Sequence, residues 1–233
     1  MKFENIEVFN FEGAFRGLRN PMNSWDKSDS KYCGLDDDID CNICPLNSHS
    51  SNTVNPCNTM MSNMGAYIIG EKDLNLAQRM IKGGNEQSKF LRQIMVSVDI
   101  TAPRYFWSEF DTYKVGTVSN SCSTMHKLKD YPFTIDMFEI DEECSKETWQ
   151  YIINYLEKMR LAYQMTKDIK FLRAMKQALP ESFKQKRTIT LNYAVIKNMY
   201  LQRRYHKLKE WSTDFVNWVK SLPYSQELIC YED

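Results

Sequence analysis

The alternation of apolar and polar side chains between Ile94 and Ile100 constrains the fold more strongly than any other pattern in the sequence. Every second residue of this run is a branched aliphatic one, which is typical of a strand with one buried face. An aromatic run, A-P-R-Y-F-W, follows directly. Pro103, with Thr101 just before it, is typical of the first turn of a helix. We therefore expect a half-buried strand that leads into a short helix from Ala102 to about Thr112.

Helical periodicity dominates the rest of the chain. A predicted helix from Asp73 to Lys82, with Leu74, Ala77 and Ile81 on one face, ends at a glycine pair, and Ser145 is a suitable cap for a long helix. The other predicted elements are a strand followed by a turn in residues 1–22, a helix ending at Leu179-Pro180, and helices at 192–204 and 208–222. Helices outnumber strands without regular alternation, which favours an α+β fold.

The composition predicts a folded domain without a large nucleic-acid surface. Apolar residues make up 42% and aromatic residues 13% of the 233-residue chain, which is enough for a hydrophobic core. Thirty basic and thirty acidic residues cancel, whereas extended nucleic-acid binding needs a basic excess. Neither a signal-peptide pattern nor an apolar run of membrane-spanning length is present. We expect a single cytoplasmic domain spanning residues 1–233.

Seven cysteines, an odd number, argue against a disulfide framework. Four of them, Cys33, Cys41, Cys44 and Cys57, lie in or beside an Asn-, Ser- and Asp-rich stretch at about 28–64, which we interpret as a loop or insertion. The spacing of Cys41 and Cys44 is that of a metal knuckle, and a structural zinc would stabilise such a loop. His49 is another candidate ligand, and free thiols are the alternative.

The window from Glu109 to Lys127 is rich in hydroxyl and amide side chains, including Thr117, Asn120, Ser121 and Ser123. Gly116 would let a ligand approach the backbone closely, and Lys114 and His126 would neutralise a phosphate. We predict a loop or broken helix that lines a site for a nucleotide-like ligand. The alternative is a solvated loop that uses Ser and Asn for turns.

Two further segments are rich in cations. Arg203 and Arg204 lie in Q-R-R-Y-H-K, where they would either grip a phosphate or simply favour a helix C-terminus. Arg16 and Arg19 lie in R-G-L-R-N-P-M-N-S-W, which suits an anion and a ring stacked on Trp25. A structural turn at Asn20-Pro21 explains the second segment equally well. The common hydrolase, P-loop and Rossmann motifs are absent, so an enzyme of this sequence would take its reactivity from a cofactor.

Taken in order, these segments resemble the flavin-dependent thymidylate synthase (ThyX) family, from about Glu71 to Pro223. Members carry a helix, a strand and an A-P-opened helix that runs into R-H-R-x-x-S-x-N-E-x-S-x-R-Y. The present chain has A-P-R-Y-F-W-S-E-F-D-T-Y-K-V-G-T at that place. Of the three R-H-R positions only the last is a cation, Lys114, and the motif's final arginine and tyrosine are lost.

The resemblance implies a helix-rich ThyX-like fold with a small, mainly antiparallel sheet, and it implies roles for individual residues. The implied flavin-binding positions are Tyr113, Lys114, Asn120, Asn192 and Asn198. The implied substrate-binding positions are Glu109, Thr117, Ser121, Ser123, Lys176 and either Arg203 or Arg204. Trp211 matches the tryptophan of the family's Q-W-E after one extra residue, which leaves the choice between the two arginines open.

The family's chemistry uses FAD, NADPH and methylenetetrahydrofolate to methylate dUMP in sites shared by a homotetramer. The resemblance therefore implies one-carbon transfer to a pyrimidine nucleotide. Because cations are missing, a second hypothesis is a non-catalytic nucleotide-binding protein of the same fold, for example in a phage or other mobile element. A third is an interaction protein that uses residues 34–58 as a partner surface.

Overall fold

The computed structural model describes residues 1–33 and 66–231, which form a helix-rich α+β fold. The strands are β1 (Lys2–Phe9), β2 (Lys31–Tyr32), β3 (Tyr67–Ile68), β4 (Met95–Pro103), β5 (Val118–Ser121) and β6 (Lys184–Asn192). The helices are α1 (Phe11–Arg19), α2 (Glu71–Lys82), α3 (Arg104–Phe110), α4 (Thr124–Lys127), α5 (Lys146–Thr166), α6 (Ile169–Ala178), α7 (Tyr193–Arg203), α8 (Val216–Lys220) and α9 (Ser225–Leu228). The predicted fold class is confirmed.

Two small sheets are formed by these strands. The larger has four strands in the order β1-β4-β6-β5, and the smaller is the antiparallel β2-β3 pair, in which Lys31 faces Ile68. In β4, Val96, Val98 and Ile100 are fully buried and alternate with partly exposed residues, as the sequence predicts. The strand β2 lies within the predicted loop at 28–64, of which residues 34–64 are outside the described part of the chain.

Most predicted helices are confirmed. Ser145 caps α5 by accepting a hydrogen bond from the Thr148 amide, and α6 ends at Leu179 as predicted. The predicted helix at 208–222 contains a π-helical turn, Glu210–Phe215, before α8 begins. The buried face of α2 consists of Asp73, Leu76 and Ala77. It shares Ala77 with the predicted face, but the other buried positions are not the predicted Leu74 and Ile81.

Two predictions about local structure are wrong, and one strand was not predicted. Residues 11–19 form the helix α1 rather than a turn, because apolar residues at helical spacing, from Phe11 to Leu18, are buried on one side. The polar window, which was predicted to be a loop or broken helix, contains the strand β5 in addition to the four-residue helix α4. The strand β6 was not predicted, although the run from Lys184 to Asn192 alternates in its second half.

The described chain divides into two compact units, and the backbone passes between them several times. The first unit comprises Met1–Lys2, Ile100–Thr112 and Ser119–Thr188. The second comprises Phe3–Asp99, Tyr113–Val118 and Ile189–Asp233, of which residues 34–65, 232 and 233 are not described. Within the described residues, no helix is long and apolar enough to cross a membrane.

The core of the first unit is built by α5 and α6. Its buried members include Ile153 and Leu156 from α5 and Leu172 and Met175 from α6. On α3, the rings of Phe106, Trp107 and Phe110 are also buried, and they pack edge-on or tilted at 5.3 to 5.8 Å between centroids. These aromatic residues therefore stabilise a single chain, as in any amphipathic helix.

Aromatic contacts also hold the second unit together. Phe11 of α1 packs edge-on against Tyr193 of α7, with ring centroids 5.7 Å apart. Phe15 meets Phe90 at 5.8 Å in the same manner. The Tyr193 hydroxyl, which is fully buried, donates a hydrogen bond of 2.6 Å to the Pro223 carbonyl. Each ring thus has an apolar body in the core and, where needed, a satisfied polar group.

A buried ion pair joins α1 to α2. Arg19 Nε donates to Asp73 Oδ1 at 2.5 Å, and both side chains are at most 6% exposed. The other Asp73 oxygen accepts hydrogen bonds from the hydroxyls of Ser28 (2.6 Å) and Ser30 (2.5 Å). Burial on its own would raise the pKa of the Asp73 carboxyl, but the hydrogen bonds from Ser28, Ser30 and Arg19 outweigh it and lower the pKa.

We expect Asp73→Asn to destabilise the protein at pH 7 by about 3–5 kcal/mol, because it leaves the Arg19 charge buried without a counter-charge. A carboxyl whose pKa is lowered by folding stabilises the folded state fully above its unfolded pKa of about 3.9 and loses this effect as the pH falls further. Urea unfolding should therefore give a higher free energy of unfolding for the wild-type protein than for Asp73→Asn at pH 7, and this difference should become smaller below about pH 4. Asp26→Asn, which removes an exposed carboxylate nearby, is the control, and its free energy of unfolding should be close to that of the wild-type protein.

Candidate functional site

In the second unit, the segment Tyr113–Val118, part of the predicted ligand window, lies against the start of α7. Asn192 ends β6 and caps α7, since its Oδ1 accepts a hydrogen bond from the Val195 amide at 3.1 Å. Gly116 has φ +77°, and a Cβ placed there would lie 2.9 Å from Asn192 Nδ2 and 3.1 Å from Val195 Cγ2. Glycine is therefore required at 116 both by its backbone conformation and by this close approach.

A chain of hydrogen bonds continues along α7. Arg203 Nε donates to the Tyr113 hydroxyl at 2.8 Å, and this hydroxyl donates to Gln202 Oε1 at 2.9 Å. Gln202 Nε2 in turn donates to Asn198 Oδ1 at 2.9 Å. The guanidinium of Arg203 also lies 5.0 Å from the ring centroid of Trp211 and 5.6 Å from that of Tyr113. We call these five residues the Tyr113–Arg203 cluster.

The Tyr113–Arg203 cluster fixes a half-buried cation before any ligand is present. Two aromatic faces and the hydrogen bond to the Tyr113 hydroxyl hold the guanidinium in place, which would lower the entropy lost on binding an anion. Arg204, which the sequence could not distinguish from Arg203, lies instead over the rings of Tyr200 and Tyr205, at 5.8 and 5.0 Å. Arg203 is therefore the arginine that contacts the Tyr113–Val118 segment.

Thr117 contributes a buried hydroxyl with an unusual environment. Its Oγ1 is shielded from solvent and has no hydrogen-bond partner among the described residues. A buried polar atom without a partner costs free energy, so it needs an explanation such as an absent ligand. Lys114, three residues earlier, is exposed. Four residues implied by the family resemblance therefore lie together in the second unit: Tyr113, Asn192, Asn198 and Arg203. Lys114 and Thr117 lie on the same segment as Tyr113.

The remaining site residues from the sequence belong to the first unit. Asn120 and Ser121 are exposed on β5, and Glu109 is half-buried on α3. Ser123 caps α4 by accepting a hydrogen bond from the His126 amide at 3.3 Å. Lys176 Nζ donates to Thr124 Oγ1 at 3.3 Å, so α6 is tied to α4 near this cap.

A cavity of about 160 Å³ adjoins α4 in the first unit. Its lining residues are Cys122, Ser123, Thr124, Lys127, Leu128, Tyr131, Phe133, Met137, Phe183, Lys184, Gln185 and Lys186. Aromatic and aliphatic walls combined with lysines suit a flat, anionic ring compound. Ser123 lines this cavity and Lys176 reaches it through Thr124, whereas Glu109, Asn120 and Ser121 are not among the lining residues.

Several residues that line this cavity were not predicted from the sequence to be site residues. Lys184, Gln185 and Lys186 lie on β6, and only recognition of that strand would have placed them beside β5. Arg187, the next residue, is bound to Asp111 at 2.7 Å and lies 4.4 Å from the Trp107 ring centroid. Its charge is therefore compensated within the first unit.

In the amino-terminal cationic segment R-G-L-R-N-P-M-N-S-W, Arg19 has a structural role. Arg19 is neutralised by Asp73, so it is not the free anion ligand that the sequence allowed. The Trp25 indole donates to Asn20 Oδ1 at 2.8 Å, which supports the alternative of a structural turn. The ring of Trp25 is nevertheless 50% exposed.

The zinc hypothesis falls mainly outside the described residues, which omit Cys41, Cys44, Cys57 and His49. Cys33 is described and half-buried. Within residues 1–33 and 66–231, no three His, Cys, Asp or Glu side chains are grouped so that they could hold a metal ion. The cysteine cluster therefore stays a prediction from the sequence.

Comparison with solved structures identifies the fold. The structure is similar to flavin-dependent thymidylate synthase ThyX from Helicobacter pylori complexed with FAD and dUMP, with a TM-score of 0.64 and 16% identity over 98% of each chain. A second structure of that protein with FAD and dUMP gives a TM-score of 0.65 and 16% identity over 98% of this chain and 97% of that one. No protein-family model and no curated protein sequence matches. The chain therefore has a ThyX-like fold.

We expect Gly116→Ala to destabilise the protein by more than Gly84→Ala. Both glycines have positive φ, so each alanine costs about 1–2 kcal/mol of backbone strain. Only at Gly116 does the new methyl group also meet a side chain, whereas nothing lies within 4 Å at Gly84. Thermal unfolding should show a clearly larger fall in Tm for the Gly116 variant. Equal falls would mean that the contact with Asn192 is unimportant.

Proposed function

We propose that the protein is a divergent flavin-dependent thymidylate synthase-like enzyme that transfers a one-carbon unit to a pyrimidine nucleotide. The observation that carries this proposal is the packing of the Tyr113–Val118 segment against α7. It places Tyr113 and Thr117, two positions that the family resemblance assigns to ligands, in one unit with Asn192, Asn198 and Arg203. The ThyX-like fold supports the same assignment.

The residues present fit a flavin nucleotide. The hydroxyl of Thr117 is buried without a partner in the described chain, and Lys114 is an exposed cation on the same segment. We propose that Tyr113, Lys114, Asn192 and Asn198 hold FAD, with Asn120 as a further contact. FAD, when bound, would supply hydride transfer from NADPH, with methylenetetrahydrofolate as the carbon donor. The protein itself would contribute positioning and charge compensation.

For the substrate, we propose a nucleoside monophosphate such as dUMP, held by Arg203 and Thr117. Arg203 is suited to a phosphate because its guanidinium is already oriented by Tyr113 and Trp211. The cavity in the first unit, lined by Ser123 and three lysines, is a candidate anion-binding surface of that unit, and Lys176 is connected to it through Thr124. From the resemblance we also propose Glu109 and Ser121 as substrate contacts, whereas Arg204, which lies over the rings of Tyr200 and Tyr205, is assigned none.

One observation favours the alternative of a non-catalytic nucleotide-binding protein. The first two R-H-R positions hold Thr112 and Tyr113, whose hydroxyls are engaged within the protein. Thr112 donates to the Glu109 carbonyl at 2.7 Å, and Tyr113 contacts Arg203 and Gln202. Binding of a nucleotide without turnover would identify this alternative.

We expect the purified protein to absorb near the flavin bands or to take up added FAD, and to be stabilised thermally by dUMP. Arg203→Ala should weaken dUMP binding by about ten- to a hundredfold, because a charged hydrogen bond contributes about 1.5–3 kcal/mol. Isothermal titration with FAD and dUMP measures both affinities, and Arg204→Ala is the matched control with a smaller expected loss.

Three outcomes separate the possibilities. Binding of FAD and dUMP with NADPH- and methylenetetrahydrofolate-dependent turnover supports the enzyme. Binding of dUMP without turnover identifies the non-catalytic alternative. Failure of both FAD and every pyrimidine nucleotide to bind would overturn both.

We further propose that the protein is a homotetramer whose contacts involve α5. On this helix, Tyr151, Tyr155, Leu161 and Met165 are exposed, the first and last at 77% and 86%. At 100° per residue they fall on one side, opposite the core face around Ile153. An apolar stripe on the outer face of a helix is typical of a protein–protein contact. The aromatic residues Phe106, Trp107 and Phe110 of α3 are buried within one chain, so they are not offered for this contact.

We expect the double variant Tyr155→Glu/Met165→Glu to dissociate the assembly, because two carboxylates would be desolvated in the contact. Light scattering after gel filtration measures the mass, which should fall from four chains to one or two. Ile135→Glu also changes an exposed aliphatic residue but lies on a separate 3₁₀ turn, and it should keep the wild-type mass. A wild-type protein that is already monomeric contradicts the proposal.

A further inference from the structure

A cleft of about 290 Å³ lies in the second unit, between the chain that follows α1 and one face of α2. Its lining residues are Arg19, Met22, Ser24, Lys27, Lys72, Leu76 and Arg79. Four of these seven side chains are cationic and none is a carboxylate. Neither the nucleotide contacts proposed above nor the family resemblance uses any of these residues.

The three residues of α2 that line the cleft lie on one face of the helix. Lys72, Leu76 and Arg79 are spaced i, i+4 and i+7, so they lie one above the other along the helix. At 1.5 Å per residue, the two cations are separated by about 10 Å along the axis. Lys27 faces them from the 3₁₀ turn Trp25–Lys27. The cations therefore surround the cleft from two sides.

Three of the four cations retain their charge for a ligand. Lys27, Lys72 and Arg79 are exposed, and within the described residues none of them forms an ion pair. Arg19 differs, because Asp73 neutralises it and Ser24 accepts a further hydrogen bond from its Nη1 through the backbone carbonyl at 3.2 Å. The base of the cleft is thus rigid and neutral, whereas its walls are positive.

The amino-terminal end of α2 does not itself supply the anion site. Asp29 already occupies it, since its carboxylate oxygens accept hydrogen bonds from the amides of Lys72 (2.9 Å) and Asp73 (3.1 Å). This carboxylate stabilises the helix end. Binding of an anion in the cleft therefore depends on the side chains of Lys27, Lys72 and Arg79.

We propose that this cleft binds a small molecule that carries two linked phosphate groups. The row from Lys72 to Arg79 is longer than one phosphate group, so a diphosphate reaches both ends where a single phosphate would not. Arg79 offers paired donors to one phosphate, and Lys72 and Lys27 neutralise the other. Trp25, half-exposed on the same 3₁₀ turn as Lys27, would offer its ring to a base attached to the diphosphate.

The test is isothermal titration of the full chain with inorganic pyrophosphate and, separately, orthophosphate. We expect pyrophosphate to bind more tightly than orthophosphate, with an affinity that falls as salt is raised. Lys72→Gln/Arg79→Gln should weaken pyrophosphate binding by about tenfold or more, because two charged hydrogen bonds are lost. Lys89→Gln/Arg92→Gln removes the same net charge from a 3₁₀ turn outside the cleft and should change the pyrophosphate affinity less than about twofold.

Arg203→Ala distinguishes this cleft from the proposed nucleotide site. If the pyrophosphate affinity survives Arg203→Ala and falls in the cleft variant, the cleft is the binding site. If Arg203→Ala abolishes binding and the cleft variant does not, the proposal is overturned. An equal loss in the Lys89/Arg92 control, or no binding by the wild-type protein, would also overturn it.

Discussion

The close contact between Gly116 and Asn192 is the constraint on which the candidate site depends. It joins two segments that are far apart in sequence, because a Cβ at 116 would lie only 2.9 Å from the Asn192 amide nitrogen. The same asparagine caps α7, so the helix start and the Tyr113–Val118 segment are held by one side chain. One and a half turns along α7 from this cap, Asn198 begins the hydrogen-bonded chain to Tyr113. The proposed ligand contacts at Tyr113 and Arg203 thus depend on a backbone approach that only glycine allows.

Three arginines of this chain differ in what their guanidinium groups contact. Arg19 is buried against Asp73 and stabilises the fold. Arg187 is bonded to Asp111 and stacked near Trp107. Arg203 contacts the Tyr113 hydroxyl and two aromatic faces, which orient its guanidinium. A guanidinium oriented beside the Tyr113–Val118 segment is suited to an anionic ligand there, which distinguishes Arg203 from the other two by its position.

Much of the fold could be predicted from the sequence because periodicity and capping are local. The alternation in β4 and the Ser145 cap of α5 depend only on neighbouring residues, and both are confirmed. The helix α1 was missed because a period of two in β1 continues into Phe11, where the helical period begins. The strand β6 starts with K-Q-K-R, whose polar side chains hide the alternation that its buried half shows. Both errors occur where a pattern changes along the chain.

The candidate site was harder to predict, because the sequence does not show which charges are compensated. Nothing near Arg19 in the sequence reveals that Asp73, far along the chain, is its partner. Conversely, the resemblance to ThyX proteins directed attention to Tyr113 and Arg203, but only the structure shows that they contact each other.

This contact bears on Thr112-Tyr113-Lys114, the residues that stand where the similar ThyX family carries R-H-R. A tyrosine at the second position brings no charge, yet its hydroxyl and ring orient a cation supplied by α7. Positive charge beside this segment is therefore provided by another element, α7. A ligand site rebuilt in this way would favour an anion with fewer charges than one matched to three consecutive basic residues.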